Sequence, residues 1–254
     1  MSKIVMLGDL HCGHAAGLTP PDWWVNDKQN LAAYQRESWA RYLDFIKQIG
    51  RPDILICNGD AIDGKGQKSQ GVELLTPDME QQALIAAQCL GQWKAKKVIM
   101  TYGTPYHTGT GENFENIAAR ALNADIANQQ FLEIDGVIFS IKHKPAGSSS
   151  IPHGRHTGVA RDRLWNVLHA DIENQPKADV IIRSHVHYHT FSGGPDWLAM
   201  TLPALQGPKS RYGVRECTGI VDWGIITFQT KKGAYTWQSH IVRMAAAKAK
   251  LKKL

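Results

Sequence analysis

The chain has 254 residues, 43% of them apolar and 20% charged. That composition excludes dominant disorder and allows one sizeable domain or at most two small ones. The formal charge of +6 is uneven, because the last ten residues hold Lys248, Lys250, Lys252 and Lys253 and no acid. A lysine tail is ordinarily solubilising, so the basic balance is weak support for a nucleic-acid partner. No apolar run is long enough to cross a bilayer, which argues against a membrane protein. Met1 to Asp9 holds no signal-peptide core or cleavage site. Cys12, Cys57, Cys89 and Cys217 form no CxxC pair, which fits free thiols in a reducing cytoplasm.

Lys3–Leu7 is a buried-strand run ending in Gly8-Asp9. Leu31, Tyr34, Tyr42, Phe45, Ile46 and Ile49 recur at helical spacing and predict an amphipathic helix over about 30–49, ended by Gly50 and Pro52. Asp53–Cys57 is the next strand, followed by Asn58-Gly59-Asp60. Thr76-Pro77 reads as N-cap and first position of a helix carrying Met79, Ala83, Ala86, Ala87, Leu90 and Trp93. Lys97–Tyr102 is a third strand, and Phe114, Ile117, Ala118, Ala121 and Leu122 line a further helix. This alternation implies parallel strands with helices on both faces.

Beyond it, Phe131–Ile134 and Val137–Lys142 flank Asp135-Gly136, a hairpin signal. Pro145–Gly158, rich in Gly, Ser and His, reads as a loop. Val180–Ser184 is a buried strand, and Gly219–Val242 reads as a strand pair around Lys231-Lys232-Gly233. With no internal repeat and no interior linker, residues 1–244 are expected to form a single domain, with 245–254 as a basic tail.

The chemistry-bearing residues stand at strand ends. Asp9 and His11 follow the first strand, Asp60 the second, His107 the third, His143 the hairpin, and His185 and His187 the run Val180–Ser184. In an open α/β sheet the carboxyl ends of the strands face one crevice. Residues spaced i, i+2 on an extended segment point the same way, so Asp9 with His11, and His185 with His187, can each send two ligand atoms to one place. Mixed imidazole and carboxylate donors suit Mn, Fe, Zn or Ni. Each pair alone is a weak signal; five strand ends carrying such residues in order are specific.

These motifs resemble the calcineurin-like metallophosphoesterase superfamily: GDLH (Gly8–His11), NGDAIDG (Asn58–Gly64), GTPYH (Gly103–His107), His143 and SHVH (Ser184–His187). The resemblance covers about residues 3–190. It implies an α/β fold, a mixed β-sandwich flanked by helices, with two metals at the strand ends. By that resemblance Asp9, His11 and His187 hold the first metal, Asp60 bridges, and His143 and His185 hold the second. It also implies a metal-activated water as nucleophile. Two cations neutralise the phosphoryl oxygens and acidify that water.

One departure stands out. The family's third motif is Gly-Asn-His, its Asn a ligand of the second metal and its His near the leaving group. Here the Asn is absent and His107 sits two places late. Thr104 offers a weak oxygen ligand, or His107 itself swings onto the second metal, or His107 keeps the proton-donor role and the second metal gains a water. The donor role is the reading preferred.

Asp63 is expected to fix the Asp60 loop or a ligand histidine. His14, His153, His156 and His189 read as solvated loop residues. Arg155, Arg161, Lys209 and Arg211 are candidate phosphate contacts. Trp23, Trp24 and Trp39 offer a stacking surface for bases, with core packing the plainer reading. The sequence therefore predicts a dinuclear-metal phosphoesterase, Mn the first choice of ion, acting on phosphodiesters and foremost DNA. Small phage or bacterial exonuclease-like members are similar in compactness, which implies a bacterial or phage-infected cytoplasm. The rival readings are a hydrolase of phosphomonoesters or small diesters, and a non-catalytic binding module that kept the fold. The oligomeric state is left open.

Overall fold

In the computed structural model, residues 1–25, 31–66, 71–149, 151–208, 219–244 and 251–252 are described, and they build two sheets packed face to face with helices outside each. Most of the expected basic tail, together with Lys209, Arg211 and Cys217, lies outside the described residues.

The opening run is β1 (Ser2–Leu7). Its Ile4 and Met6 pack toward the second sheet, while Val5 and Leu7 pack toward helices. Both faces are covered, so the run is apolar throughout instead of alternating. β2 (Ile54–Asn58), β3 (Lys97–Thr101) and β4 (Asp125–Ala127) continue in parallel beside it. The helices between them are α1 (Leu31–Ile49), α2 (Met79–Gly91), α3 (Pro105–Thr108) and α4 (Glu115–Ala121).

Helices do not flank both faces of this sheet, which corrects the reading from the alternation. The order β1-β2-β3-β4 never reverses. Successive right-handed crossovers therefore place α1, α2 and α4 on one face, leaving the other for the second sheet. The start of α2 also moves. Asp78 is the N-cap, accepting from Glu80 N at 2.9 Å and Gln81 N at 3.3 Å, while Thr76 holds the preceding turn through Asp78 N at 3.2 Å.

The second sheet is ordered β5-β6-β7-β9-β8. It contains the expected hairpin, β5 (Gln129–Ile134) with β6 (Val137–Lys142), then β7 (Val180–Arg183), β8 (Thr190–Gly194) and β9 (Trp197–Thr201). The β8–β9 hairpin has no sequence counterpart above. β10 (Trp223–Lys231) and β11 (Ala234–Val242) form the expected antiparallel pair and extend the first sheet beyond β1. Between the sheets Phe139 meets Phe228 edge to face at 5.4 Å, among Met6, Ile56, Ile182 and Met200.

α5 (Thr157–Asp171) begins inside the end of the segment read as a loop. Its inner face is polar. Asp162 takes two guanidinium nitrogens of Arg183 at 3.0 Å each and accepts Ala146 N at 2.8 Å, and Asn166 bridges Pro176 O and Ala178 N. Arg183 also donates to the carbonyls of Ser140 and Ile182, so this buried pair ties α5 to β6 and β7. Breaking such a pair strands a charge in the interior. Arg183→Ala should therefore destabilise by about 3–5 kcal/mol, read as a lowered urea midpoint.

Cys12, Cys57 and Cys89 are buried free thiols. Among the described residues no helix is long and apolar enough to cross a membrane.

Candidate metal centre

The carboxyl ends of β1, β2, β3, β6 and β7 meet at one rim, where the sequence places its acids and histidines. Asn58, the last residue of β2, links them. Its side chain donates to Ser184 Oγ at 2.8 Å and to Lys142 O at 3.2 Å, and accepts from Thr101 Oγ1 at 2.7 Å. One amide thereby joins the ends of two strands from each sheet. Neither Asn58 nor Glu115 is singled out by sequence reasoning; a buried polar residue closing an apolar strand was the available signal.

The ligand candidates leave their strands through left-handed turns. Asp9, His11, Asp60, His185 and His187 all have positive φ, between 47° and 74°. The extended i, i+2 geometry assumed from sequence is thus replaced by strained turns, each costing of order 1–2 kcal/mol. Hydrogen bonds hold them: Asp9 N to Gly59 O and His11 N to Asp60 O, each 3.0 Å, with His185 N donating to the Asp9 carboxylate. Two glycines make room. At Gly59, with φ of +76°, a Cβ would lie 2.5 Å from the His143 ring, and at Gly103 it would run into Asp60 Oδ1.

The side chains gather into two adjoining groups. His11 Nε2 and His187 Nε2 are 3.2 Å apart, and His187 Nε2 is 3.4 Å from Asp9 Oδ1. His143 Nε2 is 3.0 Å and His185 Nδ1 4.0 Å from Asp60 Oδ2. His185 and His187 therefore serve neighbouring positions, not the single place their spacing suggested. A third grouping joins His11, Asp60 and His107.

The donor chemistry fits divalent metal. His11 Nδ1 faces Asp63 Oδ1 at 3.0 Å and His143 Nδ1 faces Asn58 O at 2.8 Å, which places a proton on each Nδ1 and turns Nε2 toward the neighbouring donors as the atom a metal would take. His143 Nε2 is buried facing Asp60 Oδ2, and His187 Nε2 lies between Asp9 Oδ1 and His11 Nε2, to which it can donate, so in each group nitrogens and a carboxylate converge on a point that a cation can fill. Asp63 thus has the orienting role expected of it.

Burial opposes charge on Asp9 and Asp60. The facing imidazoles, His187 and His143 for Asp9 and His143 for Asp60, outweigh it and hold both carboxyls below the usual carboxylate range. Burial likewise opposes a charged His143, but Asp60 and Asp9 push it up to about 10. His11 is lowered to about 4 by burial and by His107, against the pull of Asp63.

The loop after β3 departs from the family motif in a definite way. Thr104 N donates to Asp60 Oδ1 at 2.7 Å and its hydroxyl donates at 3.2 Å, so Thr104 orients Asp60. His107, in α3, donates from Nδ1 to Asp63 O at 2.6 Å and packs edge-on against His11 with ring centroids 4.6 Å apart.

Glu115 opens α4 and accepts Ala61 N at 2.7 Å and Gly103 N at 2.9 Å, clamping the loops that carry Asp60 and Thr104. Burial, with repulsion from Asp60, raises its carboxyl to about 7 against those two hydrogen bonds. A raised carboxyl binds its proton more tightly folded than unfolded. Its contribution to stability is complete below about pH 4.5 and lost as pH rises through 7. Metal-free Glu115→Gln should lack that loss, worth at most about 3 kcal/mol. Denaturant titrations of both proteins at pH 5 and pH 8 check it; parallel pH trends would assign Glu115 an ordinary pKa.

A cavity of about 550 Å³ opens over the cluster, walled by Tyr106, His107, Val186, Tyr188, Ile220 and Val221. The described residues lining it include no Lys or Arg. His14 lies in this wall, accepting Ala16 N at its Nδ1, and is no solvated loop residue. His189 is likewise held, its Nδ1 2.7 Å from Thr201 O, whereas His153 and His156 are exposed. The Arg155 guanidinium stacks 4.5 Å over the Tyr188 ring. Trp39 is core, and Trp23 and Trp24 pack against it, so these tryptophans are not a stacking surface at the site.

The family model of the calcineurin-like phosphoesterases matches residues 2–189, and the chain belongs to that family. Its metal-dependent chemistry accords with the ligand groups just described. No curated protein matches the sequence. Among solved structures the chain is similar to a novel archaeal phosphodiesterase, at 17% identity over 94% of this chain and 99% of that one, TM-score 0.48. It is also similar to Vps29 from Entamoeba histolytica complexed with zinc, at 12% identity over 94% and 98%, TM-score 0.45. It is similar as well to a conserved Streptococcus pneumoniae protein, a predicted phosphoesterase, at 11% identity over 94% and 98%, TM-score 0.39.

Proposed function

We propose that the chain is a phosphodiesterase working with two divalent metal ions, Mn foremost and Zn, Fe or Ni as alternatives. The observation that carries this is the pair of adjoining donor groups, Asp9–His11–His187 and Asp60–His143–His185, in which imidazole nitrogens and carboxylate oxygens converge within ligand distance of one another. Asp9, His11 and His187 would hold one ion and His143 and His185 the other, with Asp60 between. Such ions, when bound, neutralise phosphoryl charge and make water a competent nucleophile near neutral pH. A binding module that merely kept the fold has no need of this complete set.

The remaining steps fall to the chain's own groups. Thr104 and Glu115 keep the Asp60 carboxylate aimed. His107 has Nδ1 committed to Asp63 O, so Nε2 is the nitrogen available to the cavity that it lines. Protonated there, it gives its proton to the leaving ester oxygen.

DNA is the substrate the resemblance favours. A second reading, a small diester, is supported by a cavity in the size range of single-ligand pockets and a described lining without cations, since tracking a polyphosphate backbone takes several. A panel of single-stranded DNA, duplex DNA, RNA and a bis-aryl phosphate, assayed with Mn, separates the two. Excess chelator should abolish every activity and Mn restore it; full turnover with metal shown absent by elemental analysis would overturn the metal reading.

A further inference from the structure

α5 carries its hydrophobic face outward. Its buried positions are Gly158, Val159, Asp162 and Asn166, of which only one is a large apolar residue. On the opposite side Leu164, Trp165, Leu168 and Ile172, the last at the helix end, are 46–70% exposed. At about 100° per residue these four, with exposed Arg161 and Asp171, fall within an arc of roughly 120°. A continuous apolar stripe of this kind on a surface helix marks a contact site.

Charge decides what covers it. Arg161 and Asp171 cap the two ends of the stripe, and neither makes an ion pair among the described residues, although Arg161 reaches over the Gly147 loop. A two-fold axis crossing the outer face at the level of Asn166 along the helix would set a second α5 antiparallel to the first. Leu164 then meets the partner's Leu168, and Arg161 meets the partner's Asp171, each contact made twice. The pattern is complementary to itself in both hydrophobicity and charge, as an isologous interface requires.

We propose that the chain forms a two-fold dimer through antiparallel α5 helices. One helix and its flanks cover less than a standard interface, which places the dimer in the weak, concentration-dependent class.

Sedimentation equilibrium on the full chain from about 1 to 500 μM tests this, spanning the affinities typical of that class. The expected result is a rise toward twice the 28.2 kDa chain mass. Leu168→Glu should weaken association at least about 10-fold. These positions are exposed, so the variants fold, which an unchanged urea midpoint confirms. Arg161→Asp should weaken association by setting acid against acid, and the double variant Arg161→Asp/Asp171→Arg should restore it. A monomer at every concentration would overturn the proposal and leave the stripe to another partner. A dimer indifferent to Leu168→Glu would place the contact elsewhere, and failure of the charge swap to restore association would overturn the antiparallel register.

Discussion

Asp60→Asn should bind at most one metal equivalent and lose more than about 100-fold in phosphodiester turnover. Residues that merely orient a ligand typically cost 10–100-fold in metal affinity or activity when changed, and Asp60 is a candidate ligand itself. Its Oδ2 faces His143 at 3.0 Å and His185 at 4.0 Å, while Oδ1 accepts Thr104 N at 2.7 Å. The amide keeps the shape and removes the charge that would lie between two cations. Its NH2 group would also face either the imidazoles or the Thr104 N–H, where an acceptor is needed. Elemental analysis after gel filtration, with rates on one diester, checks both parts. Two equivalents and a normal rate would remove Asp60 from the centre.

His107→Ala should retain both metals and slow diesters with poor leaving groups by about 10²–10⁴-fold, with a much smaller effect on aryl esters. An alkoxide leaving from DNA needs a proton, whereas an aryl oxide leaves largely unaided. The geometry leaves Nε2 of His107 for this role, the same atom that ligation would use. The Asp63 carbonyl takes the Nδ1 proton at 2.6 Å, and Thr104, in the loop where the family carries its Asn, is spent on Asp60. A ligand role predicts something different: lower metal content and equal slowing of both ester types. Metal stoichiometry and two rate ratios on one variant therefore separate the roles, and no change in either would make His107 an ordinary loop residue.

Much of the first sheet is legible in the sequence because its strands are apolar on both faces and each ends in a polar break. Lys3–Leu7, Asp53–Cys57 and Lys97–Tyr102 all correspond to strands within a residue or two. α1 announces itself by helical spacing, since Tyr34, Tyr42 and Phe45 must all enter one core. α5 does not, for a physical reason: its inward positions hold Asp162 and Asn166, while Leu164, Trp165 and Leu168 face out. Periodicity reads a buried apolar stripe, and a helix anchored by polar contacts beneath an exposed apolar face inverts that pattern.

By itself the sequence determined which residue types stand at which strand ends: Asp9 and His11 after the first strand, Asp60 after the second, His143 after the hairpin, and His185 and His187 after the run Val180–Ser184. That follows from local patterning, because a strand's end and its next polar residue are neighbours in the chain. Only the tertiary structure brought the ends of two different sheets to one rim, and it replaced the pairing that spacing suggested for His185 and His187. His185 and His187 part toward different carboxylates because left-handed turns, with φ of 74° and 54°, replace the extended backbone that would have aimed them together. The groups that orient them, Asn58 across the sheets and Glu115 across two loops, act through contacts 12 to 126 residues apart. Such contacts depend on how two sheets stack, which no local pattern encodes.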